Sequence, residues 1–116
     1  MTSSLVKIRI SHGKLTAMGP GKADLLEAIV ESGSISAAAK QMHMSYRRAW
    51  ELVNAMNQCF SEPLVVSITG GAHGGGAQLT PLGSHILMCF RSVEKKTQEA
   101  ASDELLQITS RLKNIP

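Results

Sequence analysis

Leu5-Val6-Lys7-Ile8-Arg9-Ile10 alternates apolar and polar positions among β-branched residues, the pattern of a short strand. His12-Gly13-Lys14 reads as a turn. Leu15 to Gly21 reads as a connector whose Gly19-Pro20-Gly21 ending breaks local structure. From Asp24 to Ser32 the period becomes helical, with Leu25, Leu26, Ile29 and Val30 on one face, and Gly33 stops that helix just past its last turn. Ser34 or Ser36 caps a second helix running through Ala37-Ala38-Ala39 to Met42, and the three small residues let another helix come close. His43-Met44 is a tight turn. Ser45 caps a third helix, which carries Ala49, Leu52, Val53 and Met56 inward and ends near Phe60.

Pro63 then forces the chain to extend. Leu64 to Thr69 is a strand, Gly70 to Gly76 a glycine-rich tip, and Ala77 to Thr80 the returning strand. Thr80-Pro81 opens a last helix by cap and first-turn proline. Its apolar positions are Leu82, Ile86, Phe90, Val93, Ala100 or Ala101, Leu105, Ile108 and Leu112, a seam at heptad-like spacing. A helix of that length exceeds so small a core, so part of it is expected to pack on a second copy. The predicted architecture is mostly α with a small β-hairpin wing. It is a single winged helix-turn-helix domain over residues 1–116, with the helix-turn-helix at about 35–60, the wing at about 64–80 and a long C-terminal dimerisation helix at about 81–113.

The chain has 116 residues, enough for one modest core. Its hydrophobic fraction of 43% and charged fraction of 18% describe a chain that folds. The net charge of +3 is mild, but it is uneven: residues 1–60 hold seven Lys/Arg against four Asp/Glu, and residues 81–116 hold five against four. A polyanion partner therefore points to the N-terminal half. Cys59 and Cys89 form no CxxC pair and, each lying in an apolar helical pattern, read as buried reduced thiols, which together with the lack of a signal-peptide pattern predicts a cytoplasmic protein. No apolar run approaches the roughly 18 residues of a bilayer span.

The second helix of a helix-turn-helix enters the DNA major groove by its N-terminal end. Here that end is Ser45-Tyr46-Arg47-Arg48. Arginine can fork onto guanine O6 and N7, while Ser45 and Tyr46 can donate to phosphate oxygens. The two arginines lie about 100° apart on a helix, so one is expected on bases and one on backbone. Ser34, Ser36 and Lys40 surround the helix that crosses the backbone; each is a phosphate candidate, and for the serines capping is the equal alternative. Lys22 is a weaker candidate. His73 in the wing tip could touch phosphate or the minor groove, and Trp50 reads as core packing or as the rim of the DNA interface. The glycine-rich tip lacks the Gly-Lys-Ser/Thr ending of a nucleotide loop. Met42-His43-Met44 reads as a turn between core methionines, and His12 and His85 as lacking ligand-spaced neighbours. No metal, cofactor or catalytic arrangement is expected.

Gly33-Ser34-Ile35-Ser36-Ala37-Ala38-Ala39, then Met44-Ser45-Tyr46-Arg47-Arg48-Ala49-Trp50, then Asn54-x-Met56-Asn57, resembles the N-terminal domain of the ModE family of molybdate-responsive bacterial regulators, whose DNA-binding part is related to the LysR-type winged helix. Thr69-Gly70-Gly71-Ala72-His73-Gly74-Gly75-Gly76-Ala77-x-Leu79-Thr80-x-x-Gly83 is similar to that family's wing and the start of its last helix. The likeness covers about residues 20–100. It implies a homodimer binding double-stranded DNA at a palindromic operator, with Ser45, Tyr46, Arg47 and Arg48 facing DNA. It also implies a transcription regulator tied to the transport of molybdate or another oxyanion. The family's Ser-Ala-Arg-Asn oxyanion motif has no counterpart here, which puts molybdate binding in doubt and makes the chain look like the DNA-binding domain standing alone. The alternatives are a winged-helix protein-interaction module without specific DNA binding, and a sensor of a small ligand or metal using the dimer groove.

Overall fold

The computed structural model describes residues 6–69 and 75–114. Strands β1 (Ile10–His12) and β2 (Leu15–Met18) form an antiparallel hairpin closed at Gly13, whose φ of 60° is a backbone region that favours glycine. This differs from the sequence reading. Of the described residues of the alternating segment, 6–10, only Ile10 is in a strand, and the supposed connector supplies the second strand. The physical reason is that pairing starts from the turn: the short Gly13-Lys14 loop sets His12 opposite Leu15, the register shifts between Ser11 and Ile10, and β2 ends in the buried Ala17 and Met18.

Helix α1 (Pro20–Ser32) begins four residues before the expected Asp24. Gly-Pro-Gly does not break it. Proline at the first helical position has its φ preset and gives up an N–H that would have no partner there anyway, and the Gly19 carbonyl accepts from Ala23 N–H at 2.9 Å. Leu25, Leu26 and Ile29 are fully buried, but Val30 is 61% exposed, because one step along a helix turns a side chain about 100° from its neighbour. Gly33 closes α1 at φ 84°, with its N–H on the Ile29 carbonyl. Helix α2 (Ile35–Gln41) follows, and Ala38 and Ala39 pack against α1 in the core. A turn with His43 at φ 57° leads to α3 (Tyr46–Cys59).

The wing is the antiparallel pair β3 (Val65–Ile68) and β4 (Gly76–Leu79), in register from Val65 opposite Leu79 to Ile68 opposite Gly76. Ala77 N–H also reaches the Gly33 carbonyl, which ties the wing to the end of α1. The tip residues 70–74, His73 among them, lie outside the described residues.

The helix expected to run to about residue 113 is divided at Ala101 into α4 (Pro81–Ala100) and α5 (Ser102–Thr109). Asp103 and Glu104 then stand in the first turn of α5, where acidic side chains favour a helix start. The seam divides as well. Leu82 and Ile86 pack against the core, and Phe90 is buried in it, whereas Val93, Ile108 and Leu112 are exposed. Arg91 clamps α4 to α1: its guanidinium meets Asp24 at 2.6 Å, Glu27 at 2.7 Å and Glu94 at 2.9 Å. Burial alone would lower its pKa, but the hydrogen bonds to Glu27, Asp24 and Glu94 outweigh that and hold it above the ordinary arginine value.

Candidate nucleic-acid interface

The α2–turn–α3 unit is built from two matching caps. Ser34 Oγ accepts from Ala37 N–H, and Ser45 Oγ accepts from Arg48 N–H, each at 3.0 Å. Ser34 is therefore a capping residue, half-buried, and Ser36 and Lys40 stay exposed on the flank of α2. Ala49, Val53 and Met56 hold one face of α3 in the core. That forces the remainder of its first turn outward. Ser45, Tyr46, Arg47 and Arg48 all stand in solvent, with Tyr46 56% exposed. Trp50, one turn further, is 49% exposed, which goes against its reading as core packing. Arg47 lies 3.8 Å from Glu51 in an exposed i,i+4 pair, a contact too weakly held to withdraw it from a ligand.

Arg48 keeps different company. The pKa of Lys22, at the start of α1, is lowered first by burial and then by the charge of Arg48; Cys59 opposes this, and Arg9 lowers it by the least. Arg9 itself packs along Gly19, its Cγ near where a Cβ would stand at that glycine. Three cations from the N-terminal hairpin, α1 and α3 thus share one surface. Sequence reasoning ranked Lys22 low and did not single out Arg9, because residues 9, 22 and 48 meet only through the packing of α3 on β2 and of α1 on α3. A spaced set of cations flanking the helix-turn-helix was the available signal, but it carries no partner information.

The wing is held to α3 by Asn57. Its Oδ1 accepts from Leu64 N–H at 2.8 Å and Val65 N–H at 3.2 Å, and its Nδ2 donates to the Val65 carbonyl at 3.1 Å. One amide replaces the backbone partners that the first residues of β3 lack on that side. Asn57→Ala is expected to cost about 2–3 kcal/mol, since backbone groups lose their partners where water enters poorly. Urea unfolding followed by circular dichroism measures this, and a change under about 0.5 kcal/mol would show that water replaces the amide freely.

A cleft between α1 and α2 is lined by Asp24, Glu27, Ala28, Glu31, Gln41 and Met42. Its carboxylates are engaged by Arg91 and Gln41, and its negative lining is unsuited to an oxyanion. Among the described residues no group of three or more His, Cys, Asp or Glu is placed to hold a metal ion, and no helix is long and apolar enough to cross a membrane.

Residues 22–84 match the model of the bacterial regulatory helix-turn-helix proteins of the lysR family. The chain belongs to this LysR helix-turn-helix family. The matched segment runs from Lys22 through both helices of the motif and the wing to the first turn of α4. Among its relatives, the molybdenum transport protein ModE of Azotobacter vinelandii is 39% identical over 111 residues, 93% of this chain and 41% of that protein. The DNA-binding transcriptional dual regulator ModE of Escherichia coli K12 is 39% identical over 88 residues, 73% of this chain and 34% of that protein. This LysR-type chain thus spans less than half the length of these ModE relatives. The fold is also that of the DNA-binding domain in the crystal structure of a CbnR–DNA complex, with a TM-score of 0.56 at 21% identity over 78% of this chain and 97% of that one.

Proposed function

We propose that the protein is a sequence-specific, double-stranded-DNA-binding transcription regulator of the ModE type, acting in the cytoplasm and linked to molybdenum or oxyanion transport. The observation that carries this is the outward first turn of α3, Ser45 to Arg48, standing beside Arg9 and Lys22 on a surface where cations repel one another. A phosphate seated there offsets both that repulsion and the desolvation of the Lys22 ammonium. Arg47, free of the cluster, reads base edges. Arg48 and Lys22 hold the backbone, with Ser36, Lys40, Tyr46 and the Ser45 hydroxyl as further donors and His73 as the contact of the wing tip.

In this reading residues 1–116 act as one DNA-binding unit without catalytic activity. The outward seam of Val93, Ile108 and Leu112 meets the same seam of a second copy, giving a homodimer suited to a palindromic operator. The interaction-module alternative is not favoured, because the matched helix-turn-helix family and the ModE relatives are DNA-binding regulators. Nor does the acidic α1–α2 cleft offer a molybdate site.

The test is fluorescence anisotropy with a duplex from the upstream region of the protein's own gene, at 50 and 200 mM salt, with and without molybdate. Binding tighter than to random DNA is expected, weakening about a thousandfold between the two salts if about six phosphates are neutralised. Indifference to molybdate would mean regulation without a resident sensor, whereas a molybdate response would place a sensor site in this chain. Equal binding to operator and random DNA at both salts would overturn sequence-specific reading.

A further inference from the structure

We propose that His85, Met88 and Cys89 form a binding site for a monovalent thiophilic cation, of the copper(I) class, on the outer face of α4. His85 Nε2 and Cys89 Sγ stand 3.6 Å apart across one helical turn, both exposed, so Cys89 is not the buried thiol that its apolar helical pattern suggests. The reading of His85 as lacking a ligand-spaced neighbour is thereby corrected, because helical pitch brings residue i+4 alongside residue i. Bonds of about 2.0–2.3 Å from nitrogen and sulfur to one ion would subtend about 110° at that separation, between trigonal and tetrahedral. The two donors therefore suit a single ion without a backbone shift.

Met88 flanks His85 on the other side at i,i+3 spacing and is 64% exposed, so core packing does not account for its side chain. Thiolate, imidazole and thioether make a soft donor set, and thiol and thioether ligands select copper(I). Carboxylates are absent from this stretch of sequence: no Asp or Glu occurs between Pro81 and Val93, and Glu94 is bonded to Arg91. Zinc, which favours four nitrogen, sulfur or oxygen ligands in structural sites, finds two here, and the described residues bring no further His, Cys, Asp or Glu to them. On binding, the Cys89 S–H bond breaks, its proton leaves to solvent and a sulfur–metal bond forms, with no change in the oxidation state of the ion. The site rests on α4 alone and does not depend on the DNA-binding reading.

The experiment is an anaerobic titration of the full-length chain with copper(I) against a chromophoric competitor, following thiolate–copper absorption in the ultraviolet. Cys59→Ser, Cys89→Ser, His85→Phe and Met88→Leu are compared, with far-ultraviolet circular dichroism confirming that each folds. The expected result is one ion per chain in the unsubstituted protein and in Cys59→Ser, loss of that ion in Cys89→Ser, and affinity at least about tenfold weaker in His85→Phe. Met88→Leu should be weakened less than His85→Phe, yet measurably. Binding unchanged by His85→Phe would reduce the site to capture by a lone thiol and overturn the proposal. So would loss of the ion on Cys59→Ser.

Discussion

Gly83→Ala is expected to destabilise the protein by about 3 kcal/mol, an unusually large effect for one added methyl group. The first turn of α4 rides directly on the backbone of β3's approach, and a Cβ at position 83 would overlap the Leu64 carbonyl oxygen and crowd the carbon behind it. Neither side can yield cheaply. The Leu64 carbonyl accepts from Thr80 N–H at 2.9 Å, and the Thr80 hydroxyl both accepts from Gly83 N–H at 3.0 Å and donates to the Pro63 carbonyl at 2.7 Å. Moving α4 away breaks this junction and withdraws Leu82, Ile86 and Phe90 from the core. Gly21→Ala is the control, because nothing lies within 4 Å of its added Cβ and α-helical alanine is favoured over glycine. Thermal unfolding should show a fall of more than about 10 °C for Gly83→Ala and none for Gly21→Ala. Equal melting temperatures would mean that the α4–β3 junction is looser than its geometry.

The second large effect is expected on DNA. Arg47→Ala should relax sequence discrimination by about 10- to 100-fold at one operator position, because a lost bidentate pair to guanine is worth about 1–3 kcal/mol. Arg48→Ala and Lys22→Ala should each weaken operator and random DNA together and reduce the slope of log affinity against log salt by about one. The different surroundings of the two arginines motivate this split. Arg47 projects alone apart from a long contact to Glu51, whereas Arg48 belongs to the cation cluster with Lys22 and Arg9. Both side chains are exposed, so folding should be unaffected, which circular dichroism checks. If Arg47→Ala lowers affinity for all sequences equally, base reading belongs to another residue of the turn.

The N-terminal region shows where a linear pattern misleads. Alternation at residues 5–10 is genuine, but a strand exists only where a partner meets it, and the partner here is decided by the Gly13 turn. The Gly-Pro-Gly segment has the composition of a breaker, yet at the first position of a helix proline's missing N–H costs nothing. In the seam of α4 and α5 the apolar spacing is correct throughout. Whether a given position is covered depends on where the core ends, which spacing cannot state; Phe90 is covered and Ile108 is not.

By itself the sequence determined what local chemistry decides. Gly33 must end a helix because the left-handed turn there suits glycine, Ser34 or Ser36, Ser45 and Thr80 must begin helices because their hydroxyls accept otherwise unpaired N–H groups, and the intervals between them spell helix, turn, helix, hairpin and helix, with the structure deciding for Ser34. The basic end of α3 was legible for the same reason, since its residues are neighbours in the chain. Only the tertiary structure decided the rest: the meeting of Arg9, Lys22 and Arg48, the clamp of Arg91 on Asp24 and Glu27, the bridge from Asn57 to β3, and the carbonyl beneath Gly83. These join residues far apart in sequence, and their energies depend on distances that hydrophobic periodicity does not encode.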